Sequence, residues 1–262
     1  MSLNDLIKDS IATGTPRAFG KIGETEAQFL LGNRPVESLH IHTGVFPPEA
    51  AGAWATVYLQ AIGCLDGAVA WQPSGVDARM LVEHNGHASV STRIEDLLPL
   101  ASLDSWHRAL GGKRVLVVHP MVHTISYQKS QYSSIWPGAS LGILTLIQAP
   151  YPPMVSGKAE YLNWFDAFHT MSFNISRYEF DIAIVGAGAY SLPLLHFIKT
   201  ALGKPCVHLG GRLQLLFGIL GRRWDKDPTA KREGYGQHGR WIRPLDIDVP
   251  KNAHLVEKGC YW

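Results

Sequence analysis

The stretch Phe180–Asp225, FDIAIVGAGAYSLPLLHFIKTALGKPCVHLGGRLQLLFGILGRRWD, decides the fold. Ile182–Val185 is an apolar run too short for a helix and suited to a strand buried on both faces. It ends at Gly186-Ala187-Gly188, and an apolar helical stretch follows from Tyr190 to Leu202. Gly203-Lys204-Pro205 stops that helix, and a second short strand, Cys206–Leu209, runs into Gly210-Gly211. The unit is βαβ with a glycine turn after each strand, at the edge where open α/β sheets bind ligands. A ligand carrying a nucleotide or a sugar phosphate is the first expectation.

A dinucleotide oxidoreductase is the obvious reading, and the residues oppose it. Gly186-Ala187-Gly188-Ala189-Tyr190-Ser191 keeps two of the three fingerprint glycines, with Ser191 at the third position. The following strand ends Val207-His208-Leu209-Gly210-Gly211, with no Asp or Glu to hold a ribose. The unit also lies late in the chain.

The strand and helix signals alternate through the rest of the sequence. Strands are expected at Ala18–Ile22, Gly67–Trp71, Lys113–His119 and Leu144–Gln148. Helices are expected at the N-terminus, from Glu24, over Glu49–Ile62, after Pro120, and as one long segment over Lys158–Ile175. This pattern predicts an α/β fold with a mostly parallel sheet between two helical layers. One domain is expected over 1–262, with the polar, basic 225–262 stretch as an irregular C-terminal extension or lid.

Composition narrows the class. Of 262 residues 46% are hydrophobic and 18% charged, which suits a packed core and opposes disorder. The net charge of +2 neither demands nor excludes a polyanionic partner. Three scattered cysteines form no disulfide framework and no metal knuckle, so a reducing, cytoplasmic setting is expected. The first residues read as an amphipathic helix rather than a signal peptide, and no apolar run approaches the ~20 residues that span a bilayer.

Several constellations bear on chemistry. Gly23-Glu24-Thr25-Glu26 sets two carboxylates at a strand-to-helix turn, where they either complement the helix dipole or flank a divalent cation. His119 and His123 have the spacing of helical zinc ligands, but Pro120 starts a helix only after His119 and no third ligand is evident. His119 closes a strand and is better suited to a phosphate or a substrate hydroxyl. No Gly-x-Ser-x-Gly elbow and no Gly-x-x-x-x-Gly-Lys-Ser/Thr loop is present, which removes serine-hydrolase and P-loop readings. Trp224, Tyr235, Trp241, Tyr261 and Trp262 accompany cations near the C-terminus, a mixture that either packs on the surface or stacks on a sugar or base.

Taken in order, these blocks resemble the bacterial glycosyltransferases of the GT-D fold. That family places an Asp-x-Glu motif, written Ile-Gly-Asp-Gly-Glu, near the N-terminus, and Ile22-Gly23-Glu24-Thr25-Glu26 stands there. Val115-Leu116-Val117-Val118-His119-Pro120, with Thr124, Ile125 and Gln128, looks like its middle motif. GAGAYSLPL, HLGG, LQLLFG and GRRW look like its glycine-rich motif, and Val256–Trp262 is similar to its C-terminal signature. Glu24 replaces the family's Asp, and Ser191 replaces a glycine often found there.

The resemblance implies a Rossmann-like domain that moves a hexosyl group from a nucleoside diphosphate sugar, UDP-sugar first, to a hydroxyl acceptor. It implies Mn²⁺ or Mg²⁺ held by Glu24 and Glu26. Gly23, the turn Gly186, Gly188, Tyr190 and Ser191, and Gly210 and Gly211 would meet the nucleotide and sugar, with Arg212 and Arg222 adding positive charge. Glu257 and His119 are the candidates for a general base. The expected acceptor is a glycan, glycoprotein or other hydroxyl carrier. Two alternatives stand beside this reading: transfer to modified bases in DNA along the basic Arg222–Arg243 loop, and a nucleotide-sugar-binding protein without catalysis.

Overall fold

The computed structural model describes residues 1–262, the side chain of His238 excepted. Seven strands form one parallel sheet: β1 (Ala18–Lys21), β2 (Gly67–Val69), β3 (Ser89–Ser91), β4 (Arg114–His119), β5 (Ile143–Gln148), β6 (Ile182–Val185) and β7 (Cys206–His208). Their order across the sheet is β3-β2-β1-β7-β6-β4-β5. The α-helices are α1 (Leu3–Thr13), α2 (Glu24–Leu30), α3 (Val36–Thr43), α4 (Ala51–Gly63), α5 (Val76–His84), α6 (Val122–Gln128), α7 (Tyr132–Ile135), α8 (Pro153–Ser156), α9 (Trp164–Ser176), α10 (Ser191–Thr200), α11 (Leu213–Leu216) and α12 (Pro228–Arg232). The result is the expected Rossmann-like α/β sandwich.

Strand alternation builds the two layers. Along β4, Leu116 and Val118 join a core with α4, α5, α9 and α10, while Val115 and Val117 join a core with α1, α6, α7 and α11. β6 divides the same way, Ala183 and Val185 to the first layer and Ile182 and Ile184 to the second. Successive side chains leave a strand on opposite faces, so these short apolar runs feed both cores at once. β4 registers with β6 on one side (Val117 against Ile184) and with β5 on the other (Val117 against Leu146).

The connections position the site. After β1 the chain enters the first layer, after β7 the second, after β6 the first, and after β4 the second. Adjacent strands in the row β1-β7-β6-β4 therefore send their connections to opposite faces. Each such reversal opens a crevice at the carboxyl ends of the strands. With neighbours ~4.8 Å apart, four strands give a furrow ~14 Å long.

The elements depart from expectation in several places. The long helix expected over Lys158–Ile175 is shorter: Asn163, accepting the Asp166 N–H at 3.0 Å, caps α9, and the residues before it are irregular. α3, β3 and α5 were among the elements not foreseen. Ser89-Val90-Ser91 is an exposed edge strand with no apolar run to mark it, and α5 begins at a left-handed Gly75. The 225–262 segment is irregular as expected, carrying α12 and short 3₁₀ turns.

A buried aspartate ties that segment to the sheet. Asp248 accepts from Thr124 N and Oγ1, both at 2.6 Å, and from His123 Nδ1 at 2.8 Å, capping α6 from 124 residues away. Its carbonyl accepts from Tyr151 Oη at 2.5 Å and from Trp262 Nε1 at 3.0 Å. Residues 260–262 then run beside 221–223, with Arg223 N donating to the Cys260 carbonyl at 3.0 Å. A Cβ at Gly221 would lie 2.5 Å from both the Cys260 and Tyr261 carbonyl oxygens. Gly221→Ala is expected to cost about 1–3 kcal/mol by overpacking and to loosen the 256–262 wall of the site. A urea midpoint equal to the parent's would contradict that role.

Candidate functional site

A cavity of about 340 Å³ lies in the furrow, a volume typical of small-molecule sites. Its wall takes residues from the ends of β1, β2, β4, β5, β6 and β7, and closes with Val256, Glu257, Tyr261 and Trp262 from the C-terminal segment. Gly23, Glu24, Glu26, His119, Gly186, Gly188, Gly210, Gly211, Arg212 and Glu257 all line it, so the structure brings together most of the residues singled out in the sequence.

Three expected residues lie outside the lining. Tyr190 is buried and stacked on Trp164 (ring centroids 5.1 Å apart, planes at 3°), a packing role. Ser191 is buried and its Oγ accepts the Ala187 N–H at 2.9 Å, closing the turn after β6. Arg222 is exposed, and its neighbour Arg223 faces the cavity in its place.

The first wall is acidic. Gly23 is the N-cap of α2, which puts Glu24, Thr25 and Glu26 in its first turn. Trp71 Nε1 (3.1 Å) and Gln72 Nε2 (3.3 Å) both donate to the Ile22 carbonyl and pin this turn to the end of β2. Glu24 is half exposed, 3.8 Å from Arg34. Glu26 is only 7% exposed, and its carboxylate packs against the Cα of Gly23 where any side chain would clash. Burial raises its pKa, opposed by its own backbone N–H and by the charge of Lys21. Among the described residues no side chain donates to it.

The second wall is basic. Lys21, the last residue of β1, is 8% exposed and holds its Nζ 5.0 Å from the centre of the Trp71 ring. The Arg212 guanidinium lies 5.1 Å from the same ring. Burial, reinforced by the charge of Arg212, brings the Lys21 pKa down to about 8. Arg223 lies 4.1 Å from the Tyr261 ring and donates to Glu257 Oε2 at 2.5 Å. Tyr261 Oη donates to Glu257 Oε1 at 3.2 Å. Glu257 and Lys258 hold left-handed backbone angles (φ 45° and 59°) that non-glycine residues adopt at a cost of about 1–3 kcal/mol each.

The glycine turns make room for side chains of the site itself. A Cβ at Gly211 would clash with the Tyr261 ring, and one at Gly210 would lie 3.3 Å from Lys21 Cε. A Cβ at Gly188 would lie 2.7 Å from the Thr43 carbonyl oxygen, and one at Gly186 2.7 Å from that of Gly210. The glycines therefore serve close approach between sheet edge and cavity wall.

His119 and His208 stand in the floor. His119 Nδ1 accepts the Met121 N–H at 3.0 Å, which leaves the proton of the neutral ring on Nε2. Burial lowers its pKa to about 4. His208 is lowered to about 3, by burial and then by Lys21. His123, paired with Asp248, takes no part in the lining, so the two spaced histidines serve separate purposes. Two polar atoms in the wall lack partners among the described residues: Gln214 Oε1, whose amide nitrogen donates to the Tyr261 carbonyl at 2.8 Å, and His42 Nδ1.

Sequence reasoning missed Lys21, Arg34, His42, Trp71, Tyr151, His208, Gln214 and Arg223. Lys21 and His208 close β1 and β7, and Trp71 and Tyr151 follow β2 and β5 within three residues. The rule that ligands meet the carboxyl ends of parallel strands marks these four. Arg34, His42, Gln214 and Arg223 reach the site through tertiary packing.

The donor set suits a hard cation. Glu24 and Glu26 line one cavity, Glu26 is a buried carboxylate without a hydrogen-bond donor beyond its own backbone, and Mg²⁺ commonly needs only one or two carboxylates plus substrate phosphates. No group of three His, Cys, Asp or Glu at metal-binding distance occurs among the described residues. The fit is therefore to an ion shared with a ligand. No helix is long and apolar enough to cross a membrane. Comparisons with protein-family models, with curated proteins and with solved structures found no match to this chain.

Proposed function

We propose that the protein is a metal-assisted glycosyltransferase that moves a hexosyl group from a nucleoside diphosphate sugar, UDP-sugar first, to a hydroxyl acceptor. The observation that carries the reading is the meeting of the Glu24/Glu26 wall with the buried Lys21 and the partly buried Arg212 and Arg223 in one cavity at the sheet's carboxyl edge. The resemblance of the motif blocks to the GT-D glycosyltransferases supports it.

In this reading Glu24 and Glu26 would hold Mn²⁺ or Mg²⁺, which when bound would supply Lewis-acid neutralisation of the departing diphosphate. The acceptor oxygen forms a bond to the anomeric carbon as the carbon–oxygen bond to the diphosphate breaks. In an inverting transfer the hydroxyl proton passes to Glu257, which Arg223 and Tyr261 orient. His119 serves as a donor to a substrate oxygen, since its Nδ1 is engaged by a backbone N–H. Trp71, Tyr151, Tyr261 and Trp262 offer flat apolar faces to a base or sugar ring. Transfer to DNA gains no support from the 222–243 loop: Arg243 pairs with Asp225, and Arg232 with Glu95 and Glu233.

Calorimetric titration of UDP with and without Mn²⁺ tests the proposal. Affinity is expected to rise at least about tenfold with the metal, and pure protein should then release UDP from a UDP-sugar when an acceptor is supplied. Absence of binding by UDP and the other nucleoside diphosphates in both conditions would overturn it. Tight binding without turnover across acceptors would leave the non-catalytic reading.

A further inference from the structure

Lys21 and Arg212 are an anomaly in the ligand-free molecule. Lys21 is more than nine-tenths buried, yet among the described residues its ammonium makes no hydrogen bond and no ion pair. The Arg212 guanidinium likewise has no carboxylate or carbonyl partner among them. Both cations approach the single Trp71 indole, itself fixed by its bond to the Ile22 carbonyl. Two like charges on one ring repel, and a buried cation without a counter-charge is costly. Glu26 lines the same cavity without forming an ion pair with Lys21, and Glu257 is taken by Arg223. Charge and hydrogen-bonding capacity both call for an anion with several oxygens.

We propose that Lys21 and Arg212, braced by Trp71, form a phosphate-binding site that holds a diphosphate directly, without a metal ion. These cations line the same cavity as Glu24 and Glu26 and act without a metal held there. A cation bound there would tighten the complex and serve transfer, while Lys21 and Arg212 seat the phosphates beforehand. The proposal rests on the glycosyltransferase reading only for the natural ligand, a nucleoside diphosphate sugar. The chemistry it requires is that of any diphosphate.

The test is calorimetry in excess chelator with two probes, inorganic pyrophosphate and UDP, on the parent, Lys21→Met, Lys21→Arg and Arg212→Met. Both probes should bind the parent, and each methionine variant should bind at least about tenfold more weakly, the scale of one lost hydrogen bond to a charged group. Lys21→Arg keeps the charge and should bind both probes more tightly than Lys21→Met. The ligand-free Lys21→Met protein should melt no lower than the parent, because it sheds an unpaired buried charge. If Lys21→Met does not fold, Arg212→Met decides the matter.

UDP binding that requires Mn²⁺ and is indifferent to both methionine changes would overturn the phosphate site and leave the glycosyltransferase reading standing. Pyrophosphate binding through Lys21 and Arg212, with no nucleoside diphosphate bound, would uphold the site and sink that reading. No binding of either probe in any condition would overturn both.

Discussion

Glu26→Gln is expected to weaken UDP binding in the presence of Mn²⁺ by about 100-fold and to leave the chelator-measured affinity unchanged. The side chain keeps its shape and loses only the charge that would hold the cation. Stability should not fall. Burial raises the Glu26 pKa, so the folded state resists ionisation that the unfolded chain undergoes from about 4.5 upward. That group therefore lowers stability as pH rises from 4.5 toward its raised folded value, and an amide removes the effect. Equal affinity of parent and variant for UDP with Mn²⁺ present would remove Glu26 from the metal site. A large drop in melting temperature would instead make it a structural residue.

Acid should destabilise the fold well above the range of ordinary carboxylate titration. His107 and His119 are brought down from 6.5 to about 4, and His208 to about 3, chiefly by burial. His107 shows the cause most plainly: its ring is fully buried, and the bond of one ring nitrogen to the Leu100 carbonyl at 3.0 Å, which favours the charged form, only partly offsets that burial. Below pH 6.5 the unfolded chain takes up protons that the native state refuses, so their stabilisation is complete above 6.5 and is lost as pH falls toward 4. Each histidine contributes a slope of about 1.4 kcal/mol per pH unit, so three together give about 4 kcal/mol per unit. Urea unfolding at pH 7 and pH 5 measures it directly. Equal stabilities at the two values would show that these rings are protonated in the native state.

The sheet was legible because its strands are buried on both faces and therefore written in apolar residues. Ile182–Val185 and Val115–Val118 feed two cores and admit nothing polar. β3 lacks that constraint, since Val90 is half exposed, and its three residues carry no mark of a strand. The two acids of one wall were legible as a local pair, because Glu24 and Glu26 lie two apart at one strand-to-helix turn, although their spacing alone suits a helix dipole as well as a cation. The basic wall was not. Lys21 and Arg212 lie 191 positions apart (212 minus 21) and meet only because β1 and β7 are neighbours in the sheet. The choice between Arg222 and Arg223 depended on the short turn at Arg222–Trp224, where consecutive side chains diverge and only the second meets Tyr261. The glycine turns also admit Tyr261, Lys21 and the Thr43 backbone, a requirement set by tertiary packing that the local sequence does not display.

The contacts through Asp248, Gln214 and Gly221 have a kinetic consequence. They join residues 245–262 to a sheet whose own strand pairs are complete without them. Docking of this segment can follow completion of the sheet, whose own longest closure, β1 against β7, spans more of the chain than any of these contacts. Acquisition of the native sheet and acquisition of a finished binding pocket are thus two events on the folding path, and a refolding chain regains its circular dichroism before it regains its ligand.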